Sequence, residues 1–147
     1  MASLLERCAW HEAGHCCAAL VYNIPILSVS IDTATPRVHR AHYRAPADIA
    51  LEAMCVLCLA GPSSEEFFCG KIDDGSDRTD IAIAREYLSR QYDALQIGFQ
   101  LKCFRDAADA LVRTPSVQDR IRWIADALLR HGTLTDDEIG VMIAADA

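Results

Sequence analysis

Nowhere does the chain carry an uninterrupted apolar run of the roughly 20 residues needed to cross a bilayer. The nearest approach, Gly14 to Ile31, is interrupted by His15, Asn23, Pro25 and Ser28, and the Asn-x-Pro break separates a helix from a strand. Lysine is almost missing: of 14 cations all but Lys71 and Lys102 are arginine, there is no basic run, and the formal net charge is −7. Such a chain is unsuited to binding nucleic acid or an anionic membrane surface. A Gly-x-x-x-x-Gly-Lys-[Ser/Thr] phosphate loop is absent. So are internal repeats and linkers rich in Gly, Ser or Pro, and residues 1–147 are therefore expected to form one domain, long enough to bury roughly two-thirds of its unfolded surface. The seven cysteines are odd in number and follow no secretory leader, which predicts a reducing, cytoplasmic setting without a disulfide framework. Cys55-x-x-Cys58 lies in the apolar stretch Ala53 to Ala60 with no second pair, and reads as core packing.

What the chain does have is His11-Glu12-Ala13-Gly14-His15. Two histidines four apart on a helix share a face, so both imidazoles can reach one metal ion. Glu12 then stands where a carboxylate can take a proton from a zinc-bound water, whose pKa the metal lowers to about 7. This is the His-Glu-x-x-His arrangement of zinc peptidases. The plainer reading of the same pattern is a pair of buried structural histidines.

Ser3 with Glu6 forms a capping-box pattern, predicting a helix from Leu4 to about Tyr22 with Leu4, Cys8, His11, His15, Ala18 and Tyr22 on one stripe. Leu27 to Asp32 alternates apolar and polar as a half-exposed strand does. After a turn at Thr33-Ala34-Thr35-Pro36, Val38 to Tyr43 is its expected partner. An edge strand beside such a helix can hold a substrate backbone by β-addition. His39 and His42 would point to opposite sides of that strand, which suits surface or substrate contacts better than one shared metal. A second helix is expected from Ile49 to about Ala60, interrupted by Gly61-Pro62, with a separate short helix from Ser63 to Gly70 under its own Ser63–Glu66 box. Lys71 to Thr79 reads as a loop. Asp80 opens a third helix carrying Ile81, Ala84, Tyr87, Leu88 and Tyr92, though an Asp at a helix start is often only a cap. Ala94 to Arg113 is helical with a possible break at Gly98; Thr114-Pro115 starts a helix with Val117, Ile121, Ile124, Ala125 and Leu128 buried, stopped by Gly132. Thr135 with Glu138 caps a short last helix. The expected fold class is mainly α (α+β), with a small β-hairpin or edge strand beside the His-Glu-x-x-His helix.

Several segments together resemble the peptidase domain of the FtsH family, the membrane-anchored AAA zinc metalloproteases. Arg7-Cys8-Ala9-Trp10-His11-Glu12-Ala13-Gly14-His15 is similar to that family's basic-x-Ala-aromatic-His-Glu-Ala-Gly-His signature. Leu59 to Gly70 is similar to its Gly-Arg-Ala-Ala-Glu-Glu segment, Gly75 to Asp80 to the loop that delivers its aspartate ligand, and Ala127 to Ile139 to its carboxyl-terminal helix pair. The likeness spans essentially the whole chain in the family's order. It implies Zn²⁺ held by His11, His15 and an aspartate, with Glu12 as general base. Asp80 is preferred as that aspartate because Ile81, Ala84 and Leu88 then fall on the family's apolar positions; Asp77 is the alternative. Glu65 or Glu66 could orient a ligand imidazole through its second nitrogen. The chain departs from the pattern at Pro62, Ser63 and Ser64, and its loop before Asp80 is one residue longer.

The function expected is therefore that of a zinc endopeptidase acting on unfolded polypeptides or on clients delivered by a separate ATPase or unfoldase, with a homo-oligomer possible. Tyr43 and His42 are the weakly marked candidates for stabilising an oxyanion. The other reading is a catalytically retired, peptidase-like regulatory or assembly module, which would have no need of Glu12. A purely structural zinc site would want a fourth ligand, for which Cys16 is nearest in sequence.

Overall fold

A computed structural model describes residues 1–31, 34, 39–71 and 75–145. Its elements, in order, are α1 (Leu4–Val21), β1 (Ile26–Ile31), β2 (His39–Tyr43), α2 (Leu51–Cys69), α3 (Arg78–Leu88), α4 (Ala94–Val112), α5 (Pro115–His131), β3 (Thr133–Thr135) and α6 (Asp136–Ala144). The molecule is mainly helical with one small antiparallel sheet. The expected 33–36 turn, part of the 71–79 loop and the side chain of His39 lie outside the described residues.

α1 begins as its capping box dictates: the Ser3 hydroxyl accepts from the Glu6 amide at 3.2 Å, and the Glu6 carboxylate accepts from the Ser3 amide at 2.6 Å. The helix is not one-sided. Ala9, Ala13, Gly14, Cys16, Cys17, Ala18 and Ala19 are buried along with His11, Glu12 and His15, so α1 is a central rod against α2, α5, β1 and β2. Small side chains allow that approach. A Cβ on Gly14 would overlap the Ala60 carbonyl oxygen and the Ser64 Cβ, so α1 and α2 meet nearly backbone to backbone.

α2 corrects the expected division at Gly61-Pro62: it runs unbroken through Pro62. An internal proline forfeits one helical hydrogen bond and crowds the preceding turn, at a cost of about 3 kcal/mol. Burial of every residue from Val56 to Glu65, against α1, α3 and α4, offsets that cost. The Ser63–Glu66 box therefore does not form. Instead the Ser64 hydroxyl donates to the Trp10 carbonyl at 2.7 Å, and Glu66 pairs with Arg105 of α4. α4 is likewise continuous through Gly98, its entry set by an Asp93–Gln96 capping box.

The sheet order is β2-β1-β3. β1 pairs with β2 as expected, but Ile26 lies opposite Tyr43 while Ser28 lies opposite His42, so Leu27 is an extra residue in a bulge. Simple alternation would turn Leu27 inward with Val29 and Ile31. The bulge turns Leu27 out, 44% exposed, and puts Ile26 in its place. β3, three residues following the positive φ of Gly132, pairs with the other side of β1 and was not foreseen in so short a segment. β1 is thereby central, and β2 keeps one edge without a strand partner among the described residues. α5 buries the stripe expected of it, and the Thr135–Glu138 box opens α6. Among the described residues no helix is long and apolar enough to cross a membrane.

Candidate metal centre

α1 supplies two imidazoles one turn apart, and both Nε2 atoms point at the same place, 3.1 Å from each other. Asp80, in the first turn of α3, brings its carboxylate to 3.0 Å from His11 Nε2 and 3.2 Å from His15 Nε2. Asp77, the alternative, is the N-cap of α3 and does not line the cavity. Glu12 is buried beside the imidazoles, with a carboxylate oxygen within 4.8 Å of their ligand nitrogens.

The far side of each ring is held. His15 Nδ1 lies 2.8 Å from the Leu57 carbonyl, which can only accept, so Nδ1 carries the proton and Nε2 keeps its lone pair. His11 Nδ1 donates to Glu65 Oε2 at 3.0 Å. Glu65 is itself held by Arg7 Nε at 2.9 Å and the Ser76 hydroxyl at 3.0 Å, while Arg7 also reaches the carbonyls of Cys69 and Lys71. Of the two candidate orienting carboxylates, Glu65 takes the place beside the imidazole, whereas Glu66 turns to the surface. This pattern, each ligand imidazole donating its remote N–H to a carboxylate or carbonyl, fixes the tautomer a metal needs.

The consequence is electrostatic. With both Nδ1 protons committed outward, the two Nε2 atoms converge on a carboxylate, an arrangement that calls for positive charge at its centre, a proton or a metal ion. Burial by itself would lower the His11 pKa, yet the hydrogen bonds to Asp80 and Glu65, with the charge of Glu12, raise it to about 9. Burial likewise pushes Asp80 upward, but His15 and His11 outweigh it and hold the carboxyl well below the usual range. Tetrahedral zinc with bonds of 2.0–2.1 Å sets its donor atoms about 3.3 Å apart. The two Nε2 atoms are 3.1 Å apart, and one Asp80 oxygen lies 3.0 Å from His11 Nε2 and the other 3.2 Å from His15 Nε2, all within a few tenths of an ångström of that, so the residues fit the ion.

Gly61 makes room for this. A Cβ there would overlap the His15 ring. The thiols do not join the cluster: Cys16, the possible fourth ligand, is buried away from the cavity and its pKa is raised well above the usual thiol value by burial. Cys58 reaches the cavity wall but is pushed up to about 12 by burial.

Above the cluster opens a cavity of about 600 Å³, floored by His11, Glu12, His15 and Asp80 and walled by Leu4, Met54, Ile83 and the β2 residues Ala41, His42 and Tyr43. His42 is exposed. The Tyr43 hydroxyl is buried without a hydrogen-bond partner among the described residues, a state that costs about 1–3 kcal/mol. Its pKa is raised well above the ordinary phenol value by burial first and by Glu12 next, so it stays protonated.

Arg7 and Gly61 were given no role from sequence. Arg7 could have been found, standing four residues before His11 on the same helical face. The Leu57 carbonyl could not, because a backbone acceptor leaves no mark in the side-chain pattern. No protein-family model matches the chain, and no curated protein matches it.

Proposed function

We propose that this chain is a zinc-dependent endopeptidase of the kind its resemblance to the FtsH peptidase domain implies. The observation that carries the reading is the convergence of His11 Nε2, His15 Nε2 and the Asp80 carboxylate, with both remote imidazole nitrogens already committed to acceptors. Three protein donors leave a position open, as catalytic rather than structural zinc sites do. Zinc held there supplies a Lewis acid for the scissile carbonyl and brings the pKa of water to about 7.

The chain's own residues do the rest. Glu12, buried against the ligand pair, accepts one proton from the attacking water. Water's oxygen adds to the carbonyl carbon, and as the C–N bond breaks Glu12 returns that proton to the amine nitrogen, so one water is consumed and an acid and an amine are formed. Glu65 and the Leu57 carbonyl keep the imidazoles oriented throughout. The edge of β2 that has no strand partner among the described residues offers main-chain groups to an extended peptide along the cavity. Substrates are therefore unfolded segments, or chains supplied by a separate ATPase.

The test is zinc content and cleavage of a disordered model protein by wild type, Glu12→Gln and Asp80→Ala. One zinc per wild-type chain, zinc without cleavage in Glu12→Gln, and loss of zinc in Asp80→Ala are expected. Zinc in wild type with no cleavage would favour a retired, non-catalytic module, and failure to take up zinc after reconstitution would overturn the metal site.

A further inference from the structure

We infer that the Tyr43 hydroxyl donates a hydrogen bond to the scissile carbonyl oxygen as that oxygen gains negative charge, an inference that rests on the peptidase reading of the same site. Buried tyrosine hydroxyls almost always find a partner. This one has none among the described residues, and its side chain is part of the lining of the cavity floored by His11, Glu12, His15 and Asp80. A buried donor left unpaired at a reaction site is poised for a charge present only during the reaction.

The neighbouring groups sharpen the choice. His11 Nδ1, Arg7 Nε and the Ser76 hydroxyl are all spent on Glu65, and His15 Nδ1 on the Leu57 carbonyl. The carboxylates of Glu12 and Asp80 would repel a developing oxyanion. A neutral donor is needed from another wall, and β2 is the strand along which the substrate backbone lies. Within β2, Ala41 and Tyr43 pack against the core while His42 between them is exposed. The Leu27 bulge sets buried Ile26 opposite Tyr43 at the end of the ladder. Burial keeps the phenol protonated, so it gives a hydrogen bond and transfers no proton.

The experiment uses zinc-loaded Tyr43→Phe, with kcat and KM on a disordered model protein and calorimetric binding of a phosphinic peptide, whose tetrahedral anionic group imitates the reacting centre. Expected are a kcat about a hundredfold lower, KM within about twofold, and a comparably weakened phosphinic peptide, with zinc content and melting temperature kept. If cleavage and phosphinic-peptide binding match wild type while Glu12→Gln is inactive, Tyr43 only packs, and this inference alone fails. Loss of zinc or of folding in Tyr43→Phe would also overturn it, by making the role structural. If Glu12→Gln cleaves as fast as wild type, the peptidase reading fails and this inference with it.

Discussion

The two faces of α1 are held by different physics. On one, Ala9, Ala13, Cys16 and Cys17 share an apolar cluster with Val117, Ile121, Ile124 and Leu128 of α5. On the other, Arg7, His11 and His15 meet Glu65 of α2 and Asp80 of α3 through directed polar contacts, with Glu12 buried beside them. The apolar face is stabilised in proportion to the area it removes from water, so it is sensitive to lost volume and tolerant of identity. The polar face has the opposite sensitivities. Its ion pairs and hydrogen bonds run between single named atoms, and a change of one such atom with no change of volume leaves a buried group unsatisfied.

The sharpest way to break the comparison is a deep truncation on the apolar face. Leu128 is fully buried, and Leu128→Ala is expected to cost about 2–5 kcal/mol in urea unfolding. Zinc bound per folded molecule should stay as in wild type; a weakened zinc site in the folded variant would show that the two faces are coupled.

Gly61→Ala makes a smaller perturbation on the polar side. The new methyl would overlap the His15 ring, so the imidazole must move off its position over the cavity. A loss of about 1–3 kcal/mol in stability from overpacking is expected. Zinc affinity, measured by competition with a chelator, should fall by at least about tenfold, and an unchanged affinity would show that the ring has room the packing does not reveal.

Smallest in structural terms is Glu65→Gln, which keeps volume and shape while removing the charge between His11 and Arg7. Zinc affinity is expected to drop about 10–100-fold. Glu66→Gln, on a carboxylate 50% exposed, serves as the control and should leave zinc affinity unchanged.

Legibility from sequence divided along similar lines. The His11–His15 face, the capping boxes at Ser3 and Thr135, the α5 stripe and the Gly132 stop are local patterns, each set by a few neighbouring residues, and the structure has them. The resemblance, through its match to Ile81, Ala84 and Leu88, pointed to Asp80 rather than Asp77, and Asp80 is the one beside the imidazoles. Reading Gly61-Pro62 as a helix break failed because local propensity was outweighed by burial on three sides. The bulge at Leu27 was not legible because it depends on the partner strand, and a single strand's alternation cannot show it. The stripe expected on α1 is buried at Cys8, His11, His15 and Ala18, but the other faces are covered too, because so many residues of the helix are small.

By itself the sequence determined which residue types could bind a metal, the helix that aligns two of them, and a mainly α composition with a short β element. These follow from spacing and capping, which act within a turn or two of chain. Only the tertiary structure decided that Asp80 arrives across 65 residues to face His15, that Glu65 and a Leu57 carbonyl fix the imidazole tautomers, and that the hydroxyl of Tyr43, a residue of the cavity wall, ends buried with no partner among the described residues. Those outcomes require separate elements to pack at ångström distances, and packing of remote elements is a property of the whole fold.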